Sequence, residues 1–232
     1  YGTKIKIGEN VILDEETHKY SAKIYFGKYI DYKVTNVLEE KILNTDKNPI
    51  ALSGTTIMKW ADDKYNFDKK RIPKAILEKA SADGTKIHKK IENMEYSKIE
   101  KWMAENFFMS HSGIRELTFW NTKYNVVGMI DLLYIEETDD KLIIKLIDHK
   151  VSASDKKDYL TKQLSVYLLC LTELFKALKE EVGKPIQMEL IGHQIFKKTG
   201  KEKRIDIKYM GKQKTEEFIK KGWEAYKLGE NI

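Results

Sequence analysis

The chain has 232 residues, 41% hydrophobic and 11% aromatic, which suits one large globular domain, or a domain with an extension, and excludes a disordered chain. Its net charge of +6 permits a nucleic-acid partner without requiring one, and its single cysteine excludes an intrachain disulfide or a cysteine-bound metal cluster. No apolar run approaches the roughly 18 residues that span a bilayer. No secretory signal is visible either, so the expected address is the cytoplasm.

Residues 5 to 38 read as β-rich, with apolar and β-branched runs broken by Asp14, Glu15 and Glu16 and by Gly27 and Lys28. Residues 55 to 66 fit a short helix. Pro73 fits the first turn of another, running towards Tyr96. Gly84 interrupts that helix at a cost of about 1 kcal/mol relative to Ala. After Gly113 the pattern turns extended: Ile114 to Trp120, Tyr124 to Ile135 and Lys141 to Val151. A helix is predicted from about Ser154 to Glu181, with Leu160, Leu164, Leu168 and Leu171 as its apolar stripe. A strand over Gln187 to Phe196, a hairpin to Tyr209 and a helix over Lys214 to Leu228 complete the chain. The order predicts an α/β core with a mixed sheet over 71–232, and an N-terminal β-rich extension over 1–70 packed on it.

The hairpin around Asp139 and Asp140 carries the most chemistry. If those two residues form the turn, Thr138 pairs with Lys141 and Asp131 falls opposite Asp148. Carboxylates placed there lie about 4.5–5.5 Å apart at Cβ and repel, a cost that a divalent cation turns into attraction. Lys150 stands two residues beyond Asp148 and so projects from the same face. On the following helix, Gln163 and Tyr167 are spaced i and i+4, on one face, where their polar ends can reach that patch. Upstream, His88 and Glu92 share a helical face. A lone helical histidine is more often structural than a ligand.

A glycine-containing helix leading to His88, then Gly128-x-x-Asp131, then Asp148-x-Lys150, then Gln163-x-x-x-Tyr167, resembles the PD-(D/E)XK nuclease superfamily in its RecB-like branch, which includes phage-type exonucleases. The region Ile12 to Leu38, with His18 and Tyr20, is similar to the N-terminal part of phage-encoded members. The resemblance implies a restriction-endonuclease-like core. In it His88, Asp131, Asp148 and the backbone carbonyl of His149 hold one or two Mg²⁺ or Mn²⁺ ions. Lys150 orients or activates water and stabilises charge developing on phosphate, and Gln163 and Tyr167 support that lysine and the DNA backbone. Glu116 is a further candidate ligand, though a solvent-facing role suits it better. The chain departs from the family in lacking the literal Pro-Asp and the four-cysteine iron–sulfur clamp of some relatives.

The implied activity is metal-dependent DNA hydrolysis, most readily an exonuclease of recombination, repair or phage replication with a recombination or helicase partner. The alternatives are a structure-specific endonuclease or nickase on the same site, and a catalytically silent nuclease fold that binds DNA or protein. Lys156, Lys157, Lys197 and Lys198 are the first candidates for holding a phosphate backbone. No Gly-rich phosphate loop is present, which argues against an intrinsic ATPase.

Overall fold

The computed structural model describes residues 5–7, 11–14, 16–25, 29–30, 33–34, 37–45, 47–66, 73, 75–76, 78–79, 81–83, 85–86, 113–152 and 154–229. Short strands open the chain: β1 (Ile5–Ile7), β2 (Val11–Asp14), β3 (Lys19–Tyr25), β4 (Tyr29–Ile30), β5 (Lys33–Val34) and β6 (Val37–Ile42). β2, β3 and β6 make a three-stranded antiparallel sheet, and β4 pairs with β5. β7 (Leu52–Ser53) leads straight into α1 (Gly54–Ala61), and a single 3-10 turn, Asp63–Tyr65, follows. All described residues between 75 and 86 are helical, as expected after Pro73; Gly84, His88 and Tyr96 lie outside the described residues.

The rest of the chain runs β8 (Gly113–Asn121), β9 (Val126–Glu137), β10 (Leu142–Ser152), α2 (Lys157–Val182), β11 (Ile186–Phe196), β12 (Glu202–Ile207) and α3 (Lys212–Gly229). The central sheet is ordered β1-β8-β9-β10-β11-β12, with β7 also alongside β9. β10 runs parallel to β11, and β7 to β9, whereas the other pairs are antiparallel. The fold is thus mixed α/β, a central mixed sheet with helices packed on it and an N-terminal antiparallel β-rich region. β1 and β7, both from the first 70 residues, are strands of the central sheet.

Turn chemistry sets the central hairpin. The Thr138 amide donates to the Lys141 carbonyl at 2.9 Å, and the Thr138 hydroxyl donates to Asp140 Oδ1 at 2.8 Å. With Asp139 and Asp140 as the turn, the ladder runs from Glu137 opposite Leu142 to Leu132 opposite Ile147. α2 covers one face of this sheet. Leu160, Leu164 and Leu171 are buried against Ile144, Leu146, Phe119 and Ile130, with Leu168 partly buried beside them. Cys170 is buried in the same core, and that burial pushes its thiol pKa up, as suits an inert structural thiol. A second core seats the N-terminal sheet: Val11, Tyr20, Ala22 and Leu43 pack with Trp120 and Val127.

Candidate active site

One edge of β9 is shared between two partners. Leu132 to Glu137 pair with β10, whereas Val126 and Val127 pair with β7. β10 therefore parts from β9 at Asp131, the first residue beyond their ladder. The Asp131 carboxylate bridges the opening by accepting the His149 backbone N–H at 2.6 Å. Extending the register by one pair sets Asp148 opposite Asp131, as the two-residue turn predicted.

The neighbouring strand is distorted at the same level. β8 pairs Arg115 with Leu132 and Leu117 with Ile130, leaving half-buried Glu116 between them with φ 50°. That left-handed conformation is strained for a residue with a side chain. Strict alternation would send Ile130 and Leu133 to opposite faces, yet both lie in the α2-facing core. The sheet changes its facing at the level of Asp131.

Lys150 and Asp148 share a face, as their spacing requires. Lys150 Nζ lies 2.6 Å from Asp148 Oδ2, with the lysine side chain 24% exposed and the aspartate 2%. Burial works against the ammonium, but the charges of Asp148 and Asp131 outweigh it and hold the Lys150 pKa above the usual lysine value. At neutral pH Lys150 is a cation. Such a fixed positive charge can stabilise negative charge placed beside it.

α2 lays three polar residues along this patch. Tyr159, Gln163 and Tyr167 follow at i, i+4 and i+8, and so on one helical face. The Tyr159 ring lies 5.8 Å from Lys150 Nζ. Gln163 Nε2 donates to the Tyr167 hydroxyl at 3.1 Å, and both residues are buried. Burial raises the Tyr167 pKa well above the ordinary value, and its hydroxyl also feels the charge of Asp148, so it remains a neutral phenol.

Two glycines make room for Tyr167. A Cβ on Gly54 would sit 2.6 Å from Tyr167 Cε1, and one on Gly128 would sit 2.9 Å from that same atom. Gly54 opens α1, whose N-cap Ser53 accepts the Thr56 amide at 3.1 Å. The ring is thus clamped between the start of α1 and the middle of β9. From the N-terminal sheet, buried Tyr20 comes close enough to feel the Asp131 charge, which adds to burial in raising its pKa.

The His149 side chain leaves this face for the other, as alternation demands. Its Nδ1 lies 2.9 Å from Nδ1 of His193, directly opposite on β11, and the buried rings meet edge to face. Glu202 Oε2 lies 3.5 Å from His193 Nε2. A proton on that Nε2 leaves His193 Nδ1 to accept from His149. One residue on, fully buried Gln194 donates to Ser152 Oγ at 2.9 Å and to the Ser154 carbonyl at 2.6 Å, and accepts the Lys156 amide at 3.1 Å. Gln194 thereby holds the turn that delivers the first residues of α2.

Of the residues singled out from sequence, Asp131, Asp148, Lys150, Gln163, Tyr167 and the His149 backbone come together here, with Glu116 alongside by register. His88 falls outside the described residues. Lys156 and Lys157 stand at the start of α2, whereas Lys197 pairs with Asp83 at 3.1 Å. Exposed Lys198 follows it. Among the described residues, no group of three His, Cys, Asp or Glu residues is placed to hold a metal ion. Sequence reasoning missed Tyr20, Gly54 and Tyr159. Tyr159 had a legible signal, because it precedes Gln163 by the same four residues that separate Gln163 from Tyr167. No family model matches the chain, and no curated protein matches it. A solved structure described as "Crystal structure of SSO0001" is similar at 16% identity and a TM-score of 0.40, with 80% of each chain covered.

Proposed function

We propose that the protein is a metal-dependent nuclease that hydrolyses DNA phosphodiester bonds at the opening between β9 and β10. The observation that carries this reading is that the two strands part where their next residues are Asp131 and Asp148, both of whose charges act on the Lys150 ammonium, which lies 2.6 Å from Asp148. Strand repulsion alone gives no reason to set two carboxylates opposite each other.

The donor set fits a hard divalent cation. Mg²⁺ takes one or two carboxylates and keeps several waters, so Asp131 and Asp148 suffice, with the His149 carbonyl and His88 as the further ligands implied by the resemblance. When bound, the ion supplies Lewis acidity and a more acidic bound water. Lys150 brings a fixed positive charge against the phosphate oxygens, where negative charge grows during displacement. Gln163 and Tyr167 hold the helix face behind that lysine, and the electropositive start of α2, with Lys156 and Lys157, lies beside it. An exonuclease acting in recombination, repair or phage replication is the form the resemblance favours.

The test is digestion of end-labelled linear DNA and closed circular DNA with Mg²⁺ or Mn²⁺, against an EDTA control, for wild type and Lys150→Ala. Metal-dependent loss of label in the wild type alone is expected, with circular DNA spared. Nicked circles would convert the reading to an endonuclease. Salt-sensitive DNA binding without any product would replace it with a binding module.

A further inference from the structure

Tyr159 is held on two sides, yet its hydroxyl is left open. Its ring faces Lys150 Nζ at 5.8 Å and meets Tyr65 edge to face at 5.1 Å and 87°. Tyr65 is itself anchored: its hydroxyl donates to Asp158 Oδ2, and Lys162 Nζ stands 5.0 Å from its ring. Lys162 bridges Asp62 at 2.8 Å and Asp158 at 3.1 Å, and Lys64 reaches Asp158 at 2.9 Å. This ion-pair cluster ties the 3-10 turn to the first turn of α2 and fixes where the Tyr159 ring can sit.

The Tyr159 hydroxyl stands in the field of Lys150, Asp148 and Asp131, and among the described residues nothing hydrogen-bonds it. Its helical neighbour differs. The Tyr167 hydroxyl is bound by Gln163 and buried beneath Gly54, so it supports the site from below. Tyr159 is only half-buried. A tyrosine hydroxyl drawn into a protein ordinarily finds a partner. Here the ring that carries the hydroxyl lies against the candidate catalytic Lys150.

We propose that the Tyr159 hydroxyl binds the substrate, donating a hydrogen bond to a non-bridging oxygen of the phosphate that is hydrolysed. The proposal rests on the nuclease reading of Asp131, Asp148 and Lys150. The hydroxyl and the Lys150 ammonium then approach the phosphate from neighbouring positions, the lysine as a charge and the tyrosine as a directional donor. Burial raises the Tyr159 pKa although Lys150 pulls it down, so the phenol keeps its proton to donate.

The test compares the full-length wild type with Tyr159→Phe, which keeps the ring contacts and deletes only the donor. With Mg²⁺ and a linear DNA substrate, kcat is expected to fall roughly 10- to 100-fold, the worth of one hydrogen bond to a charged oxygen, with melting temperature unchanged. Substrates carrying a single phosphorothioate of defined configuration at the cleaved position give a readout that a structural role would not move. One diastereomer should slow the wild type more than it slows Tyr159→Phe; the other should slow both equally. Wild-type kcat in Tyr159→Phe, or identical thio effects in the two proteins, overturns the proposal while the nuclease reading stands. A wild type that cleaves nothing overturns both.

Discussion

The Asp131 carboxylate accepts the backbone N–H of His149 at 2.6 Å, so a side chain takes the place that a strand carbonyl would fill if β9 and β10 stayed paired. That bond holds the opening at a fixed width. The strands separate just where their next residues are both aspartates, so the site and the end of the ladder are one feature of the backbone. Lys150 then offsets part of the charge that the arrangement concentrates.

A divalent cation that binds there should stabilise the folded protein. At about a hundredfold excess over its dissociation constant the gain is roughly 2.7 kcal/mol. Thermal melting in EDTA and in Mg²⁺ should therefore show a rise of several degrees for the wild type and little or none for Asp148→Asn. An equal rise in both would remove Asp148 from the metal site.

Gly54→Ala and Gly128→Ala should each cost about 1–3 kcal/mol, because a methyl group at either position overlaps the Tyr167 ring. Combining Gly128→Ala with Tyr167→Leu should recover part of the loss, since the smaller side chain vacates the contested space. Urea unfolding measures both. Full stability of Gly128→Ala alone would show that the ring is not clamped as described.

The cluster around Asp158 predicts a dependence on pH. The Tyr65 hydroxyl, then Lys64 and Lys162, hold the Asp158 carboxyl well below the usual carboxylate range. A group depressed in the folded state stabilises above its unfolded pKa, about 3.9, and loses that contribution as pH falls through the folded value. Asp158→Asn should thus be less stable than wild type at pH 7, with the gap closing as the pH drops below about 4. The carboxylate is half exposed, so the gap should stay below about 1 kcal/mol. A gap that widens in acid would contradict the assigned pairing.

On the back of the sheet, His193→Leu should remove the partner of the buried His149 ring and cost about 1–3 kcal/mol by chemical denaturation. Because His149 lies between Asp148 and Lys150, the DNA cleavage proposed above should fall as well. Unchanged stability would mean that the two rings do not depend on each other.

Much of the architecture was legible in the chain. The polar two-residue turn at Asp139 and Asp140 fixed the β9–β10 register, and a period of two then placed Lys150 with Asp148 and sent His149 to the opposite face. The leucine stripe of α2 announced its buried side, and its helical spacing aligned Gln163 with Tyr167. These are consequences of covalent geometry over a few residues, which a sequence carries by itself. The fork at Asp131 was decided by the tertiary structure. It exists because β7, distant in sequence, takes over the edge of β9 that β10 leaves, and no local pattern in β9 records that competition. The same holds for Gly54 beneath Tyr167, for Tyr20 beside Asp131 and for Tyr65 against Tyr159. Each pair joins segments far apart along the chain, and packing in three dimensions alone brings such partners together.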